Sequence, residues 1–195
     1  LREMKELVLD KQFQILLVSF TAMLSVWWGL ALWLPTYLVE AKGYNFSEMT
    51  YGASIAYLGA VFGMYGASWI SDITGNRKRI IVASLLSSTF LIGILAFVEI
   101  NSQIIGIGLL FVIFLVNQMA SPTFFTLLQS RISEEHVGSA SGIMNGVGNA
   151  VGIIGPLSIG FIISVTNSYN AGLIMLCMFS LIGGIFFKIL FKENQ

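Results

Sequence analysis

Residues 138–160 read GSASGIMNGVGNAVGIIGPLSIG, and the fold follows from what this stretch can be. It holds seven glycines, at 138, 142, 146, 148, 152, 155 and 160, together with Pro156. Asn145 and Asn149 are the only amides in it, and apolar residues flank it on both sides. The reading is one helix through a bilayer, over about 137–165. On a 3.6-residue period Ser141, Asn145, Asn149, Gly152 and Pro156 fall near one stripe. Gly138, Gly142 and Gly146 recur every four residues, as do Gly148 and Gly152. Small residues at that spacing let a second helix backbone come close in lipid. The expectation is a helix that packs against a partner and turns its amides toward protein or water.

Composition agrees with a bilayer. The 195 residues are 56% hydrophobic and 10% charged, with a mean hydropathy of +0.84. A soluble domain carries about 25% charged residues. Ten basic and ten acidic residues cancel, which gives no electrostatic reason to expect a nucleic-acid partner. Cys177 is the only cysteine and His136 the only histidine, so neither a disulfide nor a cysteine- or histidine-rich metal site is expected. No nucleophile–base pair or phosphate loop stands out, and the chain does not read as an enzyme or as a holder of a cofactor.

Six spans are expected, at about 13–38, 47–71, 79–100, 104–130, 137–165 and 170–191. The connections are short, and one all-α membrane domain over 1–195 is the simplest division. Arg2, Lys5 and Lys11, then Arg77, Lys78 and Arg79, then Arg131, then Lys188 and Lys192 fall on one side of that arrangement, and Lys42 alone on the other. The positive-inside rule then puts both termini in the cytoplasm of a cell-membrane protein.

Within the spans, several residues suit a ligand space. Trp27 and Trp28 sit mid-span, whereas Trp33 and Tyr37 suit interface anchors near the outer end. Pro35 frees a carbonyl one turn earlier. Asn117, Gln118 and Ser121 crowd the fourth span, where Pro122 leaves the Gln118 carbonyl without its helical donor. Amides in hydrocarbon require protein or water partners, so Trp28, Asn117, Gln118, Ser121, Asn145 and Asn149 are the candidate binding residues. Ser47 with Glu48 reads as the start of the second span, which carries a Gly59/Gly63 pair. Spans three and six are nearly uniform in apolarity and are expected at a lipid-facing rim.

The loop SDITGNRKR resembles the second copy of the signature loop of the major facilitator superfamily through Asp72, Gly75, Arg77, Lys78 and Arg79. Ser68 and Ile73 stand where that pattern has a glycine and a base. WLPTYLVEAKGYNFSEM, from Trp33, is similar to the seventh-to-eighth helix junction of the anion:cation symporter branch. SGIMNGVGNAVGIIGPLSIGFI, from Ser141, is similar to that branch's eleventh helix. The resemblance implies a six-helix half of a twelve-helix transporter, built as two inverted three-helix repeats. Leu1 in place of an initiator methionine fits a piece of a longer chain. The implied partners are the lipid bilayer, an N-terminal six-helix half, and a small organic anion such as a sugar acid. That other half would supply the coupling to H+ or Na+ and the anion-binding arginine. Two alternatives are a drug or metabolite exporter with Trp27, Trp28 and Phe124 as an apolar pocket, and a non-transport interaction module.

Overall fold

A computed structural model describes residues 7–192; Arg2 and Lys5 lie outside the described residues. The described chain is helical, with no strand among its elements. We label the helices α1 (Lys11–Thr36, continuing through a π-helical turn at Tyr37–Ala41), α2 (Phe46–Thr74), α3 (Arg77–Phe97), α4 (Gln103–Gln129), α5 (Glu134–Gly152), α6 (Ile154–Thr166) and α7 (Tyr169–Leu190). They make six stretches long and apolar enough to cross a membrane, with α5 and α6 forming one of them.

Local chemistry sets the boundaries. Asp10 accepts a hydrogen bond from Phe13 N at 2.9 Å and starts α1. At α2, Asn45 accepts from Glu48 N at 3.0 Å, and Glu48 returns the bond to Asn45 N at 2.9 Å. This reciprocal cap places the start at Asn45 rather than at Ser47, because only Asn45 has an acidic residue three positions on that completes the pair. Gly75 ends α2 with φ +64°, a backbone region that a side chain disfavours.

Two prolines reshape their helices. Pro35 cannot donate to the Ala31 carbonyl, and Tyr57 Oη donates to that carbonyl instead at 2.8 Å. Six residues after Ala31 the helix widens into the π turn, where Lys42 N donates to Tyr37 O at 3.2 Å. The span expected as one helix over 137–165 is interrupted at Ile153, one turn before Pro156, because proline removes the donor that would bond Gly152.

Helix α1 is the most enclosed span and touches α4, α5, α6 and α7. Helix α2 packs chiefly on α4, while α3 packs on α4 and α7. The α2–α4 approach depends on Gly59 and Gly63, where a Cβ would stand 2.2 Å from Phe111 O and 2.0 Å from Leu115 O. The α3 span is not a purely lipid-facing rim. Its Ser84 and Ser88 turn inward, and Ser84 Oγ donates to Val116 O of α4.

The core divides into two apolar clusters. One contains Leu30, Leu34, Ile92, Ile113, Phe114 and Leu176. The other contains Phe13, Phe20, Leu85, Phe124, Phe187 and Phe191. Between them on their respective helices lie the buried Ser25, Ser88, Asn117 and Ser180.

The turns sort to two ends. Residues 7–13, the α2–α3 turn and the α4–α5 turn surround one cavity, and the end of α7 is tied to them. Lys78 Nζ donates to Phe191 O, and Arg131 Nη2 donates to Lys192 O while its guanidinium lies 4.4 Å from the Phe191 ring centre. Cations thus meet the unpaired carbonyls at the negative end of α7. Lys192 N donates to Gln12 Oε1 at 2.9 Å. We call this the basic end. Lys42 is at the other end, beside Glu99, Asn101 and Gln103.

Candidate functional site

The α5–α6 stretch is the least enclosed of the six spans. Its glycines serve two faces. Gly148, Gly152 and Gly155 press on α1: a Cβ at Gly148 would meet the Phe20 ring at 2.7 Å, and one at Gly155 would meet Ser25 O at 1.9 Å. Gly138, Gly142 and Gly146 face open space, with nothing within 4 Å of an added Cβ. The stripe expected to face a single partner is therefore divided, its second part used within this chain and its first part left uncovered.

Close approach of α5 to α1 brings three of the six candidate residues together. Trp28 Nε1 donates to Asn149 Oδ1 at 2.9 Å. Asn149 Nδ2 donates to Asn145 Oδ1 and to Asn145 O, each at 2.8 Å. An indole N–H can only donate, which fixes the Asn149 oxygen toward Trp28 and its nitrogen toward Asn145. The direction continues to the exposed Asn145, whose own Nδ2 is left as the outermost donor. Successive amides in a chain polarise one another, so that terminal donor is strengthened. The line Trp28–Asn149–Asn145 includes no ionisable side chain. It suits an acceptor ligand, such as a carboxylate or hydroxyl oxygen.

Asn117, Gln118 and Ser121 do not join this line. Asn117 is 0% exposed on α4, and neither its Oδ1 nor its Nδ2 has a partner. Gln118 is 5% exposed and Ser121 half-buried. Trp27 packs edge-on against Phe114 at 5.6 Å, and Phe124 is fully enclosed, so neither forms an open aromatic pocket here. Trp33 Nε1 donates to Pro156 O at 3.0 Å, tying α1 to α6. Tyr37 is turned inward, its ring 6.3 Å from that of Tyr169. Ser141, one turn before Asn145 on α5, has a buried Oγ without a partner. Sequence reading missed Tyr57 and Trp33 as cross-helix donors; the proline-freed carbonyl four residues before Pro35 was the available signal for Tyr57.

The signature-loop residues separate. Asp72 and Arg79 are exposed, Gly75 makes the turn, and Arg77 and Lys78 are half-buried in the first turn of α3. Ser133 does not cap α5 by its side chain; its Oγ lies 2.9 Å from His136 Nδ1.

Six apolar crossings, the α1 span the most enclosed of them, define a multi-pass membrane protein. Residues 1–156 match the family model of the Major Facilitator Superfamily, and the chain belongs to that family. It is 27% identical over 153 residues to a hexuronate transporter of Bacillus subtilis (strain 168), a match covering 73% of this chain and 36% of that protein. It is 28% identical over 167 residues to a probable galactarate/D-glucarate transporter of Escherichia coli (strain K12), covering 81% and 36%. A quinolone resistance transporter of Acinetobacter baumannii is 25% identical over 189 residues, covering 95% and 42%. The chain spans less than half the length of these curated relatives. They are named as transporters, not enzymes.

Proposed function

We propose that this chain is the C-terminal six-helix half of a secondary transporter for a small organic anion of the sugar-acid class, working by alternating access against an N-terminal half. The observation that carries the reading is the directed line Trp28–Asn149–Asn145, which ends in an amide donor on the least enclosed span. An uncharged donor orients a carboxylate or a hydroxyl without trapping it, and a carrier must release its cargo. The uncovered glycines at 138, 142 and 146 suit close approach of a helix from the other half. The two repeats and a cavity at the bilayer midplane belong to the same architecture. Coupling to H+ or Na+ would rest mainly on the other half, since no acidic or basic residue lies deep in a span here. The basic end would face the cytoplasm.

The test is uptake of labelled hexuronate, galactarate and galactonate by cells or vesicles carrying the complete protein. Asn149→Ala removes the link to Trp28 and Asn145→Ala removes the terminal donor. Each is expected to lower kcat/KM about tenfold or more, which corresponds to ~1.4 kcal/mol of lost transition-state binding. Wild-type uptake in both variants would remove the site. The quinolone resistance relative supports a second reading, export of lipophilic compounds. Efflux of a quinolone, with no sugar-acid uptake, would select it.

A further inference from the structure

A cavity of about 950 Å³ opens at the basic end, between the start of α1, the α2–α3 turn and the end of α4. Arg77 and Asn76 line it from one side and Arg131 from another, with Phe13, Leu16 and Leu128 among the apolar residues of its wall. Asp10 also lines it, with its Oδ1 accepting from Phe13 N as the α1 cap. We propose that this cavity binds a phosphate-bearing anion, gripped between Arg77 and Arg131.

Three observations lead there. Arg131 is held in place by its bond to Lys192 O and its stacking on Phe191, so its guanidinium is positioned before any ligand arrives. Arg77 contributes a second guanidinium, and its Nε is buried without an acceptor. A buried charged donor without a partner is costly. An anion in the cavity removes that cost at Arg77. Guanidinium forks match phosphate oxygens better than any other cationic side chain does. The cavity is also far larger than a bare phosphate requires, and apolar side chains form part of its wall. It therefore has room for the glycerol and first methylenes of an anionic phospholipid, and basic pockets between helices at a membrane's cytoplasmic face take such headgroups. Free phosphate presents the same oxygens. This cavity is separate from the Trp28–Asn149–Asn145 line, and the inference does not depend on which cargo is carried.

The experiment uses the full-length protein purified in neutral detergent. Adducts are counted by native mass spectrometry, and thermal midpoints are followed with short-chain phosphatidylglycerol, phosphatidylcholine of equal chain length, or inorganic phosphate. Phosphatidylglycerol is expected to bind and raise the midpoint where phosphatidylcholine does not. Arg77→Gln should weaken that binding at least tenfold, and Arg77→Lys should give an intermediate value. A matching response to inorganic phosphate identifies a free anion as the ligand; a response to the lipid alone identifies a headgroup. Either outcome supports the site. Equal binding of the two lipids with no response to phosphate overturns it in the wild-type protein alone, without reliance on a variant. Wild-type affinity in Arg77→Gln overturns it as well.

Discussion

Tyr57 and Asn117 show what polar side chains do at mid-membrane depth. The Tyr57 hydroxyl fills the vacancy that Pro35 leaves at the Ala31 carbonyl, so a core-looking tyrosine is the partner of a helix break. The proline was legible in the sequence, as was the orphaned carbonyl, but not the donor, which comes from another helix 26 residues on. Asn117 is the opposite case. Its amide suggested a ligand contact, yet it is sealed between α3, α4 and their neighbours with both polar atoms unpartnered. Leaving such a group unpaired costs about 1–3 kcal/mol. Asn117→Leu, similar in volume, is therefore expected to raise stability by about that amount, read as a higher thermal midpoint in detergent. A lower midpoint would show that the amide has a partner in the working protein. Of the six candidate residues, sequence spacing correctly grouped Asn145 with Asn149, since one helix carries both. It could not pair either with Trp28, because that contact spans 121 residues.

At the scale of the element, glycine spacing announces close packing without saying on which side. The Gly59/Gly63 pair and the glycines of α5–α6 look alike in sequence, and the structure uses them differently. Gly63 lies against the α4 backbone, whereas Gly146 faces open space. Gly63→Ala must push α2 off α4, because the new Cβ would meet a carbonyl oxygen and not a movable side chain. Overpacking of this kind typically costs about 1–3 kcal/mol, and a loss of that size is expected in thermal unfolding. Gly146→Ala should leave stability unchanged or raise it by up to about 1 kcal/mol through helix propensity. If the uncovered stripe meets the other half, the same variant should slow transport in the complete protein without lowering its thermal midpoint. Unimpaired transport would mean that the stripe faces something else. Span positions were legible to within a few residues because hydrophobic length is a strong signal. The interruption at Ile153 and the cap at Asn45 were not anticipated, although Pro156 and the Asn45/Glu48 spacing stood in the sequence as their signals.

Across the whole molecule, charge and topology agree. Among the described residues Lys11, Arg77, Lys78, Arg79, Arg131, Lys188 and Lys192 gather toward one end and Lys42 stands at the other. In a Cys177→Ser background, Lys42→Cys should react with a membrane-impermeant maleimide on intact cells, and Arg79→Cys only after permeabilisation. The reverse pattern would invert the assigned orientation. The stacking of serines from several helices into a layer was not legible in the sequence, because helix registry is a tertiary property. The layering has its own consequence. Serine hydroxyls and an enclosed amide separate the two apolar clusters, and short side chains interlock weakly across such a plane. The bundle is thus two cores in series along the membrane normal. On the alternating access proposed above, these two cores are the parts that would loosen in turn, one toward each end of the bundle.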